Sequence, residues 1–141
     1  MIQYPLHFKA SAQANTGLMG LWSAQCSDAT LSCAVPKEFE GPGGALSPED
    51  LFAQALTNCF IATFQVFAHH SKLTFEGLEV DSSLVVDKVD GKPVMKEIHF
   101  QVSLAGASNK DRAQLLVKKA MESGFVLNSV TTKKSFELSL T

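Results

Sequence analysis

One stretch of this chain is apolar on almost every side, and the segments around it alternate or break. The long stretch runs from Ser47 to His70 and reads SPEDLFAQALTNCFIATFQVFAHH. Ser47 suits an N-cap, Pro48 the first helical position, and Glu49 and Asp50 the first turn, so a helix starts here. Beyond that start, Leu51, Phe52, Ala53, Ala55, Leu56, Cys59, Phe60, Ile61, Ala62, Phe64, Val66, Phe67 and Ala68 place apolar surface all around the axis. A helix apolar all round is a buried one. Its length is about 33 Å at 1.5 Å per residue, and Gln54, Asn58 and Gln65 make it too polar to read as a membrane span.

The rest of the chain supplies strands and one further helix. Residues 2–12 alternate loosely and read as a strand kept near an edge by Pro5. Turn residues at 15–20 lead into short strands around Leu21–Ser27 and Thr30–Val35. Lys37–Ala45 is a glycine-rich loop without the G-x-x-x-x-G-K spacing of a phosphate loop. After the long helix, Phe75–Val89 and Pro93–Ala105 read as a hairpin turning at Asp90-Gly91. In its second arm Val94, Lys96, Ile98, Phe100, Val102 and Leu104 point one way. Ser108 or Asn109 caps a second helix over Lys110–Ser123, with Leu115, Leu116, Ala120 and Met121 on one face and Gly124 as its stop. Ser135–Leu140 is the last strand. The order βββ-α-ββ-α-β predicts an α+β fold, an antiparallel sheet wrapped around a long central helix, in one domain over residues 1–141. About six strands and one short helix cover only part of a helix apolar all round. A second chain is expected to cover the rest, giving a homodimer with the long helices at its centre.

Composition narrows the function without naming it. The 141 residues are 45% apolar and 18% charged, with a net charge of −2. That balance predicts neither nucleic acid nor a membrane surface as partner. The N-terminal residues do not read as a signal peptide. Three cysteines and no C-x-x-C predict neither a disulfide scaffold nor a standard zinc site. A cytoplasmic protein without cofactor or metal is the expectation.

Few residues are candidates for chemistry. Cys59 lies mid-helix, where a free cysteine packs as a small hydrophobe unless a cation stabilises its thiolate. It is about three turns from the helix start, so its own helix dipole gives it nothing. Glu49 complements the N-terminal dipole, which accounts for it without function. Cys26 and Cys33 fall on or beside strands and read as packed residues. His69 and His70 close the long helix, His7 and His99 stand alone on strands, and none has a partner at ligand spacing.

Taken together, P-K-E-F-x-G-P-G-G (Pro36–Gly44), S-P-E-D-L-F (Ser47–Phe52) and the buried A-L-x-x-C-F (Ala55–Phe60) resemble the OsmC/Ohr superfamily, the osmotically induced and organic-hydroperoxide-resistance proteins. The resemblance covers essentially the whole chain and includes the element order. It implies an intertwined homodimer with two active sites at the interface. It also implies hydroperoxide reduction by a cysteine thiolate that becomes a sulfenic acid and is resolved by a second cysteine. Cys59 matches the attacking cysteine, and Glu49 matches the glutamate that, with an arginine, holds the thiol reactive. Ten helical residues separate the two, about 15 Å of rise and nearly a quarter-turn. They can meet only across a dimer, Glu49 of one chain beside Cys59 of the other.

The chain departs from that pattern twice. The stretch matching the second cysteine is Gly124, Phe125, Val126, Leu127, Asn128, Ser129, Val130, with Gly124 at the cysteine position. The arginine expected in 16–20 is missing, and Arg112 in the second helix is the only one in the chain. The first reading is therefore a one-cysteine thiol peroxidase acting on an organic hydroperoxide. A small external thiol or dithiol reduces it, unless Cys26 or Cys33 resolves, and Lys9 or Lys37 replaces the arginine, though without its bidentate grip. The second is a non-catalytic dimeric module binding an apolar small molecule over Cys59, for which ten Phe residues suit a pocket as well as a core. A slow, stoichiometric redox sensor or scavenger is the third.

Overall fold

Helix α1 (Pro48–His70) begins as its sequence prescribes. The Ser47 hydroxyl accepts from the Asp50 N–H at 3.0 Å, and the Asp50 carboxylate accepts from the Ser47 N–H at 2.9 Å. This reciprocal cap satisfies two backbone donors that helix geometry leaves free. The computed structural model describes residues 1–15 and 17–141. Thr16, in the stretch where the missing arginine was sought, lies outside the described residues. The chain divides into two units, Met1–Leu51 and Phe52–Thr141.

The first unit holds a three-stranded antiparallel sheet in the order β1 (Ala10–Gln13), β2 (Trp22–Cys26), β3 (Ala29–Cys33). The strand expected over residues 2–12 starts only at Ala10. Ile2, Tyr4, Leu6 and Phe8 keep the alternation of a strand, yet all four are exposed, Phe8 at 92%. Among the described residues no strand pairs with them, and an unpaired strand leaves its backbone donors and acceptors to water. The glycine-rich loop is closed on itself. The N–H groups of Phe39 and Gly41 donate to the Pro36 carbonyl, that of Glu40 to Lys37, and that of Gly43 to Val35. Gly41 packs so closely on the Val35 carbonyl that a Cβ would collide with it. Those amides are spent, so the loop offers them to no phosphate.

The second unit builds one core. β4 (Gly77–Val89) and β5 (Lys92–Ala105) form the long hairpin, and Asp90 and Gly91 both take the positive φ that this two-residue turn requires. Ile98, Phe100, Val102 and Leu104 of β5 are buried on one face. Nearer the turn, the register slips between Val85 and Val86, so that Val85 faces Glu97 and Val86 faces Met95. Lys96 is the extra residue of this bulge. Val94 and Lys96, expected on the apolar side, are exposed beyond it, as a one-residue slip exchanges the faces.

Helix α2 (Lys110–Ser123) starts at Asn109, whose side chain accepts from the Arg112 N–H at 2.9 Å. It buries Ala113, Leu116, Val117, Ala120 and Met121. Leu115, expected on that face, is 65% exposed, because it sits about 100° around the helix from Leu116. β6 (Lys133–Leu140) then pairs with β5 in parallel, which corrects the expectation of a wholly antiparallel sheet. A parallel neighbour needs a crossover, and the segment carrying α2 is that crossover. The expected sheet of about six strands is two sheets of three, ordered β1-β2-β3 and β4-β5-β6.

By length and composition α1 is apolar enough to cross a membrane. Its Leu56, Phe60, Phe64 and Ala68 are instead buried in the same core as β5 and α2. Phe64 stacks near Phe60, with ring centroids 6.1 Å apart, and meets Phe75 at 5.5 Å. The expectation of a helix buried on every side is not met in one chain: Ala55, Ala62 and Val66 are exposed, Val66 at 51%. Phe64→Ala is expected to cost about 3–5 kcal/mol in urea unfolding, and Leu115→Ala under about 0.5 kcal/mol. Equal losses would contradict this assignment of core and surface.

Candidate active site

The stripe that α1 buries decides where Cys59 points. Phe60 faces the core, and Cys59, one residue back, turns toward the end of α2. Gly124 caps that end, its N–H donating to the Ala120 carbonyl at 3.1 Å. The chain then enters a 3₁₀ turn, Leu127–Ser129. The turn is held by the Asn128 N–H on the Gly124 carbonyl at 2.9 Å and by the Asn128 side-chain amide on the Glu122 carbonyl at 3.0 Å. Leu127 is fully buried in the core and anchors it.

Gly124 was expected as the glycine that stops α2. Its φ is −60°, which any residue adopts, so backbone freedom does not explain it. Packing does. A Cβ at position 124 would stand 2.8 Å from Cys59 Sγ, 3.0 Å from Leu127 Cδ1 and 3.3 Å from Thr63 Oγ1. The sulfur therefore rests against the Gly124 backbone, half-buried, between Thr63 and Leu127.

Thr63 Oγ1 lies 3.9 Å from Cys59 Sγ and donates its proton to the Cys59 carbonyl at 2.7 Å. With that proton spent, the hydroxyl offers the sulfur a lone pair, a partner for a thiol S–H. Arg112 is committed elsewhere, its Nη1 donating to the Ser71 carbonyl at 3.0 Å, just past the C-terminal end of α1.

Glu49 lies in the first turn of α1, ten residues before Cys59. That is about 15 Å of helical rise, so a single α1 does not bring the two together. Its Oε2 is buried without a hydrogen-bond partner among the described residues. A buried acceptor left unpaired costs about 1–3 kcal/mol, and more when charged, so this oxygen calls for a donor. Neither Lys9 nor Lys37 is paired with it; among the described residues the ion pair present is Lys96–Asp87, at 3.4 Å on the surface. The Lys96 ammonium, after a hydrogen bond from the Lys88 N–H, holds the Asp87 carboxyl below its usual range. All three cysteines are free: Cys26 is exposed and Cys33 buried. Among the described residues no cluster of His, Cys, Asp and Glu has the makings of a metal site. A groove between α2 and β6, lined by Asp111, Leu115, Lys118, Phe136 and Leu138 among others, does not include Cys59.

The architecture is that of a known class. The family model for OsmC-like proteins matches residues 41–139, and the chain belongs to that family. It is 33% identical to the organic hydroperoxide resistance protein of Xanthomonas axonopodis pv. citri, over 80% of each chain. It is 26% identical to the uncharacterized protein YmaD of Bacillus subtilis, over 98% of this chain and 94% of that one. Among solved structures, an OsmC-like protein of unknown function from Vibrio cholerae superposes with a TM-score of 0.80 at 17% identity, over 96% of this chain and all of that one.

Sequence reasoning placed Gly124 by resemblance and missed the physical reason for it. Its signal lies in the contact, which no local pattern carries. If packing is that reason, Gly124→Val is expected to lose about 1–3 kcal/mol even though valine accepts this φ. Cys59→Ala should return part of that loss in the double variant, giving a coupling of about 0.5 kcal/mol or more. Additive losses would contradict the contact.

Proposed function

We propose that the protein is a one-cysteine thiol peroxidase that defends against organic hydroperoxides. The observation that carries this reading is the half-buried Cys59 sulfur seated on Gly124, in a chain one third identical to an organic hydroperoxide resistance protein. The Cys59 thiolate attacks the outer oxygen of the hydroperoxide. The O–O bond breaks, the alcohol leaves with a proton, and Cys59 is left as a sulfenic acid. An external thiol or dithiol then returns it to the thiol, and water leaves.

The thiolate needs a positive or proton-donating neighbour. Thr63 does not supply one in its present hydrogen bonding. A homodimer answers several needs at once. The exposed Ala55, Ala62 and Val66 of α1 form a face of small side chains on which a second α1 can lie close. Among the described residues the alternating segment Ile2–Phe8 has no partner strand, and the second sheet ends in the open edge of β6. Glu49 of one chain beside Cys59 of the other would give the buried Oε2 its missing donor. A partner lysine is the cation expected to complete the site.

Two outcomes are expected. The wild type consumes cumene hydroperoxide when supplied with dithiothreitol, dihydrolipoamide or glutathione, and Cys59→Ser falls to the background rate. A folded wild type that consumes no peroxide with any of the three would overturn the peroxidase reading and leave the apolar-ligand module in its place. In sedimentation experiments the wild type is a dimer. Ala62→Glu, which puts a charge on the exposed face of α1 and touches no core residue, dissociates it and lowers peroxide turnover in the same proportion.

A further inference from the structure

Gly124 is a glycine for the sake of the sulfur and of Leu127 packed on it, and not of its backbone. Its φ of −60° is ordinary, and the position is buried only because Cys59, Thr63 and Leu127 close on it. The direction in which a side chain would leave its backbone points at the Cys59 sulfur. The 2.8 Å from that Cβ position to Sγ is too short for two unbonded groups. It is close to the spacing that an S–S bond of about 2.04 Å imposes between a Cβ and the far sulfur of a disulfide. Position 124 therefore stands at covalent range of Cys59 and has no atom with which to use it.

Resting on the peroxidase reading above, we propose that Gly124 determines the class of reductant this protein accepts. With glycine there, nothing inside this pair captures the sulfenic acid, and an external monothiol can act. That thiol attacks the Cys59 sulfur, hydroxide leaves and takes a proton as water, and a mixed disulfide forms. A second thiol attacks the sulfur of the adduct, expels Cys59 as thiolate and departs as the external disulfide. A cysteine at 124 would close the S–S bond first. A neighbouring thiol reacts at an effective concentration far above the millimolar range of an external one, so capture inside the chain should be more than about 100-fold faster. The resulting disulfide yields readily to a dithiol, which completes the exchange within one molecule, and poorly to a monothiol.

The test uses the full chain as wild type, Gly124→Cys and Gly124→Ser, with peptide mass spectrometry to locate each adduct. Oxidised wild type given glutathione is expected to carry glutathione on Cys59. Gly124→Cys is expected to lose two hydrogens between positions 59 and 124, both with cumene hydroperoxide and with diamide, and to carry no glutathione. Its turnover ratio of glutathione to dithiothreitol should fall at least about tenfold against wild type. Gly124→Ser has nearly the same shape and no thiol, and should keep the wild-type ratio.

A folded Gly124→Cys protein in which diamide closes no 59–124 disulfide overturns the proposal, as does an equal fall of the ratio in Gly124→Ser. A wild type whose Cys59 is oxidised by peroxide yet takes no glutathione overturns it as well, and that arm needs no variant to fold. The peroxidase reading fails separately, when peroxide leaves Cys59 unoxidised while diamide still joins 59 to 124 in the variant.

Discussion

The burial of Leu56, Phe60, Phe64 and Ala68 against Ile98, Phe100, Val102 and Leu104 sets the rotation of α1, and everything else in the second unit depends on that angle. Four side chains spaced four residues apart leave the helix one way to face the sheet. Cys59 follows without any freedom of its own: it sits about 100° from Phe60, toward the end of α2. The opposite face, with Ala55, Ala62 and Val66, is turned away from the core by the same rotation. One packing decision thus fixes both the direction of Cys59 and the exposed face of Ala55, Ala62 and Val66.

Local features were legible because their causes are local. Ser47, Pro48 and Asp50 write the start of α1 in four residues, and their hydrogen bonds reproduce it. Asp90-Gly91 marks the hairpin because few other pairs accept two positive φ angles. The parallel placing of β6 was hidden, since alternation reports which face of a strand is apolar and not which edge it joins. Leu115 and the bulge at Lys96 were hidden for a related reason. Each is an apolar pattern shifted by one residue, and the shift is settled by tertiary packing.

The candidate site divides in the same way. The helix cysteine and the first-turn glutamate are readable from spacing together with a family likeness. What spacing cannot give is the pairing of each with its neighbours. Among the described residues the buried Glu49 oxygen has no donor, while Thr63 turns its proton to the Cys59 carbonyl and away from the sulfur. An acid without a donor and a thiol without a cation are two halves of one electrostatic requirement. Ten residues of rigid helix keep those halves apart within a chain.

Gly124 shows how packing alone can require a glycine. The α2 cap, the Asn128 hydrogen bonds and the buried Leu127 hold the backbone at 124 against the Cys59 sulfur. Removing the atoms beyond Cα costs the fold little, because the sulfur itself fills their place. On the peroxidase proposal, the consequence falls on the second half of the cycle, in which the route back from sulfenic acid to thiol would pass outside the protein.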